Sequence, residues 1–212
     1  MRLIKIITIL FLITIFGSCA KGQPNGITTI EYENEINGYN VIVDWKPRNI
    51  RFGHIIGPAI IQFKKKDSLI FTITNNNFSI QKKLLSFETD TDSLYVKKIS
   101  KSHIVLKYDE PKLNSKDGFF TTEVPFFFND VNFDNNRELL LVEVNNGQRG
   151  LSTFKVYQFE SDELQSELYN ITFEQPFRSF DDATIIDYQR RQIKLYYSGG
   201  SSDTGYNTYR FK

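Results

Sequence analysis

Short β-forming segments separated by turn residues recur along most of the chain, and this pattern restricts the fold more than any other feature. The dipeptide Asn37-Gly38, which favours a tight hairpin turn, lies between the segments Ile27–Ile36 and Tyr39–Trp45. Similar segments follow at intervals of roughly ten residues. In the first half of the chain they are Pro58–Phe63, Leu69–Thr74, Leu94–Ile99, His103–Tyr108 and Glu123–Phe128. We interpret the asparagine run 75–77 as a turn.

The pattern continues to the C-terminus. Glu138–Val144 is almost continuously apolar, so we expect both of its faces to be buried. Only Asp162–Leu168 is compatible with a helical turn or two. The sequence therefore predicts an all-β fold, an antiparallel sandwich or a propeller-like arrangement built from hairpins. It forms one domain over residues 27–212, or two halves of about 27–115 and 116–212. The other segments are Leu151–Phe159, Tyr169–Phe173, Thr184–Asp187, Gln192–Tyr197 and Tyr206–Phe211.

The N-terminus has the parts of an export signal, followed by a cysteine. After a basic start, residues 6–16 are apolar except for two threonines, and small residues precede Cys19. The apolar run is shorter than the about 20 residues of a spanning helix. Small residues before a cysteine resemble the lipobox of bacterial lipoproteins, so we expect a signal peptide over residues 1–18. A lipidated Cys19 and a polar tether then form residues 19–26. The alternative is an ordinary secretory signal with an incidental cysteine.

Composition narrows the class of protein. Cys19 is the only cysteine, which excludes an internal disulfide, a catalytic thiolate elsewhere and a cysteine-based zinc site. Without residues 1–18 the chain loses two of its 26 basic residues and none of its 25 acidic ones, so it is close to neutral. No basic block suited to nucleic acid is present. Ala20 is not the acidic residue that often accompanies inner-membrane retention. We therefore expect a cell-envelope protein that its lipid holds in the outer membrane, facing the periplasm, with no nucleic-acid partner.

Oxygen-bearing side chains alternate in the stretch D-V-N-F-D-N-N-R-E, which we call the cation loop (residues 130–138). The side chains of Asp130, Asn132 and Asp134 converge on one point if the backbone curls between them. The main-chain carbonyl of Asn136 and the carboxylate of Glu138 would complete an oxygen set of the kind that calcium prefers. The sequence therefore predicts a structural calcium ion.

Two further observations bear on the cation loop. Asn135 stands where such loops usually have glycine, and asparagine is the next most tolerant residue of a positive φ. Alternatively, the stretch is a tight polar turn in which Asp130 and Asn132 accept hydrogen bonds from nearby amides. Either interpretation predicts a loop that enters the buried segment beginning at Glu138.

Several stretches of the C-terminal half together resemble a known family. They are D-V-N-F-D-N-N-R-E-L-L-L-V, N-N-G-Q-R-G before a strand ending V-Y-Q-F-E, P-F-R-S-F-D-D, and Y-Y-S-G-G-S-S-D-T-G-Y-N-T-Y-R-F. In these stretches the chain resembles the periplasmic lipoproteins that act as immunity proteins against secreted lysozyme-like effectors. Those proteins are similar in fold to the invertebrate-type lysozyme inhibitors. The resemblance covers residues 120–212, and the first half matches only in its β character and its G-P-A-I-I-Q-F strand.

The resemblance implies a propeller-like all-β sandwich, calcium in the cation loop, and a secreted or periplasmic peptidoglycan hydrolase as partner. A glycine- and serine-rich loop would enter the active cleft of that enzyme. The cleft of a lysozyme holds two carboxylates, to which hydroxyl and backbone N–H groups can donate. The residues alone also allow a flexible connection between two strands. The implied partner-binding residues are Ser198, Gly199, Gly200, Ser201 and Ser202, with Asp203 and Tyr206 beside them.

The residues offer few candidates for catalysis. The two histidines, His54 and His103, lie near no serine-containing motif. The adjacent Asp181 and Asp182 would point to opposite faces of a strand, so we interpret them as a solvated loop. We therefore expect a protein that is not an enzyme, a lipid-anchored inhibitor of a peptidoglycan hydrolase. Two alternatives stay open: a non-catalytic envelope module that binds glycan or a protein partner, and a hydrolase.

Overall fold

The computed structural model describes residues 26–51, 53–85, 103–111, 124–143, 152–162, 165–199 and 203–212. The expected signal peptide, Cys19 and the tether up to residue 25 lie outside these residues. The described part is nearly all β-structure, which confirms the predicted fold class. Its helical elements are two single 3-10 turns, Lys82–Leu85 and Phe177–Ser179. Within the same residues, no helix has the length and apolarity that crossing a membrane requires.

Six strands form the first sheet. The long strand β4 pairs with β5 along one edge and with β2 and β3 along the other, and β1 and then β6 continue beyond β2. The described pairings are antiparallel except that of β1 with β6, which is parallel. The strands are β1 Thr28–Tyr32, β2 Asn40–Trp45, β3 Asn49–Arg51, β4 His54–Lys65, β5 Ser68–Gln81 and β6 His103–Leu106.

Two smaller antiparallel sheets follow. The second sheet has the order β10-β9-β8-β7, so each described strand pairs with its neighbour in sequence, and the third has the order β11-β12-β13. The strands are β7 Phe126–Asn129, β8 Glu138–Glu143, β9 Thr153–Asp162, β10 Gln165–Asn170, β11 Ile185–Asp187, β12 Gln192–Ser198 and β13 Thr204–Arg210.

The middle of the first sheet buries one face only. In β2, Val41, Val43 and Trp45 are buried, whereas the intervening Ile42 and Asp44 are partly exposed. This period of two residues is what a half-covered strand requires. Where β4 begins and β5 ends, consecutive residues are buried, so both faces are covered there.

The hairpin of β7 and β8 lies between two hydrophobic cores. Leu139 and Leu141 pack with the first sheet, and the alternate residues Leu140 and Val142 pack with residues of the third sheet. All four side chains are essentially inaccessible to water. The predicted burial of this segment on both faces is therefore confirmed, and the two cores share one wall.

Two sequence-based expectations about local structure are wrong. Asp162–Leu168 is not a helical turn: β9 ends at Asp162 and β10 begins at Gln165, in register with it. Cross-strand pairing with β9 thus overrides the local helical pattern. The asparagine run 75–77, expected to be a turn, lies inside β5, where Asn75 is buried and its Oδ1 accepts a hydrogen bond from the Asn77 amide at 2.9 Å.

A glycine explains how the long β4–β5 ladder stays intact near this run. A Cβ atom on Gly57 would lie 2.0 Å from the carbonyl oxygen of Lys46, so only glycine permits this close approach. The register between β4 and β5 shifts between Gly57 and Ala59. The irregularity is therefore absorbed within the sheet without ending either strand.

Candidate cation loop and C-terminal hairpin

The cation loop connects β7 to β8 and has the backbone that its sequence predicts. Asn135 adopts a φ of 69°, the left-handed conformation expected where comparable loops have glycine. Phe133 also has a positive φ, of 64°. Two left-handed residues so close together turn the chain sharply, which brings Asp130 near Glu138 at the two ends of the loop.

The loop's oxygen-bearing side chains accept hydrogen bonds from its own amides. The amide of Asp134 donates to Asn132 Oδ1 at 3.0 Å, that of Asn135 to Asp130 Oδ2 at 3.1 Å, and that of Asn136 to Asp134 Oδ1 at 2.7 Å. These contacts are those of the polar-turn interpretation. They leave lone pairs on the same oxygens, so they are compatible with a cation as well.

Glu138 is the buried member of the set. Its side chain is 1% exposed, and its Oε2 accepts a hydrogen bond from the Val131 amide at 2.8 Å. Its Oε1 and the Oδ1 of Asp130 are buried and have no hydrogen-bond partner among the described residues. Buried carboxylate oxygens normally have partners. Two such oxygens at the ends of one loop fit a cation between them.

Burial makes the ionised form of Glu138 costly. Its pKa is raised to about 7, chiefly by burial; the hydrogen bond from the Val131 amide opposes the rise, and the charges of Asp134 and Asp130 add to it. An acid held in this way is neutral over much of the pH range unless a positive charge lies nearby.

The kind of cation follows from the donors. No group of three or more histidine, cysteine, aspartate or glutamate side chains in the described residues is arranged to hold a metal ion. Asp130, Asp134 and Glu138 thus form no such group. A cation in the loop would need amide and main-chain oxygens as well as carboxylates, a set that suits calcium better than zinc. The residues that could hold it are Asp130, Asn132, Asp134 and Glu138 through their side chains and Asn136 through its carbonyl.

We expect a pH dependence from Glu138 in buffer that contains a chelator. The folded protein binds the proton with a pKa of about 7, against an ordinary value of 4.5, so folding is favoured most at low pH. As the pH rises from about 4.5 through 7, the free energy of unfolding should fall by about 3 kcal/mol. Urea denaturation at pH 5, 6, 7 and 8 would measure this.

The matched variant for that measurement is Glu138→Gln. Glutamine keeps an oxygen for the Val131 amide and has no proton to lose, so its stability profile should be flatter than that of the wild type over the same range. Parallel profiles for the two proteins would contradict the assignment.

Strands β12 and β13 form a hairpin that we call the finger (residues 192–210). Their pairing runs without a register shift from Gln192–Arg210 to Ser198–Thr204. Beyond it, the Gly199 amide donates to the Asp203 carbonyl at 2.7 Å. Of the predicted partner-binding residues, Ser198 is half-buried, and Gly199, Asp203 and Tyr206 are exposed. The others, Gly200, Ser201 and Ser202, lie outside the described residues.

Tyrosines stiffen the outer half of the finger. Tyr196 and Tyr206 are directly opposite each other, and their rings meet edge to face with centroids 5.5 Å apart. On the other face, Tyr197 lies over Gly205: a Cβ atom there would be 3.0 Å from the tyrosine hydroxyl. Tyr197 and Tyr206 are about 40% exposed, at 39% and 42%. The sequence predicted a binding role for Tyr206 but not for Tyr197. The feature that marks Tyr197 is the glycine opposite it, Gly205.

The candidates for catalysis lie apart in the fold. His54 begins β4, and burial and the charge of Lys83 lower its pKa. His103 begins β6 and forms an exposed pair with Glu31 at 3.3 Å. The two strands are separated by β2 and β1 in the same sheet.

The acidic pair Asp181-Asp182 is half-buried, which corrects the expected solvated loop. The amide of Ser152 donates to Asp182 at 3.2 Å, and that of Ala183 donates to Asp181 at 3.0 Å. Burial is the largest cause of the raised pKa of both carboxyls. These contacts fasten the turn before β11 to the segment that precedes β9.

No family model matches the chain, and no curated protein matches it in sequence. A solved structure described as that of a Xanthomonas type IV secretion system related protein aligns with 87% of this chain and 76% of its own, with a TM-score of 0.49 and 12% identity. A likeness this distant carries no argument about function.

Proposed function

We propose that this chain is a lipid-anchored envelope protein that inhibits a peptidoglycan hydrolase by inserting the end of its finger into the active cleft. The observation that supports the proposal best is the finger itself. It is paired in register up to Ser198–Thr204, it is exposed at its end, and tyrosines brace both of its faces.

The chemistry of a hydrolase cleft suits this finger. Two carboxylates line such a cleft and work as acid and as nucleophile or base. The end of the finger is rich in serine and glycine, so it offers hydroxyl and N–H donors with little bulk. The exposed rings of Tyr197 and Tyr206 would contact the rims of the cleft, where tyrosine is a frequent anchor. Binding of this kind blocks the partner and needs no turnover by the inhibitor.

The proposal assigns a structural role to the cation loop and an anchoring role to Cys19. Calcium in the loop would give the buried oxygens of Asp130 and Glu138 a partner. A lipid on Cys19 would hold the folded part at the outer membrane, facing the periplasm, where peptidoglycan hydrolases act.

Inhibition is tested by the clearing of a peptidoglycan suspension by a panel of muramidases. The wild-type protein should slow clearing by at least one of them, and Gly199→Glu should raise the half-inhibitory concentration at least about tenfold, because it adds bulk and a charge that the carboxylates repel. Thr72→Glu, which adds the same charge on the exposed face of β5, should inhibit like the wild type.

Two results would contradict the proposal. One is equal inhibition by the wild type and Gly199→Glu, or none by either against every muramidase. The other is clearing by the protein on its own, which would support a hydrolase instead.

Anchoring is tested separately with Cys19→Ala. The variant should move from the membrane fraction to the soluble fraction and lose labelling by radioactive palmitate, since Cys19 is the only cysteine in the chain. If the variant stays with the membrane, the lipid assignment is wrong, whatever the inhibition assay shows.

A second function is favoured by the same tyrosines. Tyr197 and Tyr206 are exposed aromatic rings of the kind on which sugars stack, so a non-catalytic module that binds peptidoglycan glycan is the alternative. Co-sedimentation with purified sacculi distinguishes the two: a glycan-binding module sediments with them and loses this property in Tyr206→Ala.

A further inference from the structure

The cation loop packs against the base of the finger through Phe133. Phe133 is buried, whereas its neighbours Asn132 and Asp134 are half-buried and exposed. Its ring centroid is 5.0 Å from that of Phe211 and 5.8 Å from that of Tyr188. Phe211 directly follows β13, and Tyr188 lies in the turn before β12. Phe133 thus joins the loop to the base of the finger.

Polar contacts fasten the same base to the loop at two points. The guanidinium of Arg191 donates from Nη2 to the carbonyl oxygen of Phe133 at 2.8 Å. The hydroxyl of Tyr188 donates to Oδ1 of Asn129, at the end of β7 where the loop begins. The Phe211 amide donates to the Arg191 carbonyl at 3.0 Å and closes the base of the finger.

The finger is regular from this base to the pair Ser198–Thr204. Arg191 immediately precedes β12, and the β12–β13 ladder then continues in register to Ser198–Thr204. The seven residues of β12 span about 20 Å. A regular antiparallel ladder with cross-strand rings is stiff, so its orientation is set by the way in which its base is held.

We propose that binding of a divalent cation in the loop is coupled to the order and orientation of the finger, with Phe133 and Arg191 as the residues that transmit it. A cation shared by Asp130 and Glu138 fixes the curl of the loop and with it the ring and carbonyl of Phe133. Without one, the two carboxylates repel each other and the contact with the base loosens. If the finger binds the hydrolase, a cation in the loop would also strengthen inhibition. That consequence rests on the proposed function.

Amide hydrogen exchange tests the coupling in the absence of any partner. The full-length protein is compared in calcium chloride and in EDTA, and exchange is followed by mass spectrometry in peptides from β12 and β13. Calcium should slow exchange there at least about fivefold, the lower end of ordinary coupling between sites. Peptides from β4, a strand of the first sheet, report global stability.

The matched pair of variants is Arg191→Ala and Arg190→Ala. The guanidinium of Arg190 reaches Asp187 within its own turn, at 3.5 Å, so its loss should leave the calcium effect on the finger unchanged. In Arg191→Ala the effect on β12 and β13 should disappear, while isothermal titration shows that calcium still binds. Phe211→Leu, which keeps a packed apolar side chain and removes the ring contact, should weaken the effect and serves if Arg191→Ala does not fold.

Three results would overturn the coupling: no calcium binding by titration, binding without slower exchange in the finger, or an equal loss of the effect in both arginine variants. The outcome is independent of the muramidase assay. A protein that shows the exchange effect and inhibits no hydrolase would keep this inference and end the proposed function. A protein that inhibits equally well in calcium and in EDTA, with the same amide exchange in both, would keep the proposed function and end this inference.

Discussion

Leu140→Ala should lower the free energy of unfolding by about 3 kcal/mol, and Leu141→Ala by a similar amount. The two residues are neighbours on β8 but belong to different cores, and both are fully buried. Each substitution leaves a cavity that surrounding strands fill only in part. For a chain of this length, the loss corresponds to a fall in melting temperature of roughly 6–12 °C. Urea denaturation and differential scanning calorimetry would measure the effects.

The control for these variants is Val105→Ala on the edge strand β6. Its side chain is 51% exposed, so the change should stay within about 0.5 kcal/mol. If only one of the two leucine variants is strongly destabilised, β8 does not separate two cores in the way described. A small effect from both substitutions would mean that the side chains of β8 are loosely packed in the two cores.

Calcium should raise the melting temperature of the wild-type protein, and Asp134→Ala should abolish most of that rise. A ligand that binds only the folded state at a concentration 100 times its dissociation constant adds about 2.7 kcal/mol to stability. In a chain of this length that is a shift of roughly 5–10 °C. Scans in calcium chloride and in EDTA at pH 7.5, where Glu138 is largely ionised, would show it.

Asp109→Ala is the matched control for Asp134→Ala. Asp109 is an exposed acid outside the loop, paired with Lys107 at 3.2 Å, and its loss changes the net charge by the same amount. Its calcium response should equal that of the wild type. A melting temperature that chelation leaves unchanged would end the calcium assignment, and the polar-turn interpretation of the loop would then account for its hydrogen bonds.

The sequence was most informative where a pattern is local. Asn37-Gly38 predicts a hairpin turn before the strand segment Tyr39–Trp45; both are confirmed, since Asn37 and Gly38 adopt positive φ values and β2 spans Asn40–Trp45. The apolar run at Glu138 predicts a strand buried on both sides, as observed. The positive φ of Asn135 likewise follows from its place in the loop.

Features that depend on distant parts of the chain were not predictable. The parallel pairing of β6 with β1 joins residues more than 70 positions apart, and no local pattern encodes it. The contact of Arg191 with Phe133 spans 58 positions. The glycine at position 57 is explained only by the carbonyl of Lys46, which approaches it from another segment.

The ion pair of Arg137 is another example of a contact between distant parts of the chain. Its guanidinium donates to the Phe128 carbonyl at 2.6 Å, pairs with Glu110, and reaches Asn37 Oδ1 at 3.3 Å in the first hairpin turn. In the sequence, Arg137 is merely one charged residue before an apolar strand. In the fold it joins the cation loop to the first sheet.

The hairpin of β7 and β8 contributes side chains to both cores, and this limits how the chain could be cut into two fragments. A fragment that ended near residue 115 would keep Phe63 and lose its neighbour Phe126, whose ring lies 5.7 Å away. The complementary fragment would carry Phe126 and Phe128 without the first-sheet residues that cover them. Each piece would therefore be insoluble by itself and soluble only when reunited with the other. Recombination between homologous genes would have to transfer both pieces together, because each piece needs the side chains of the other to cover its core.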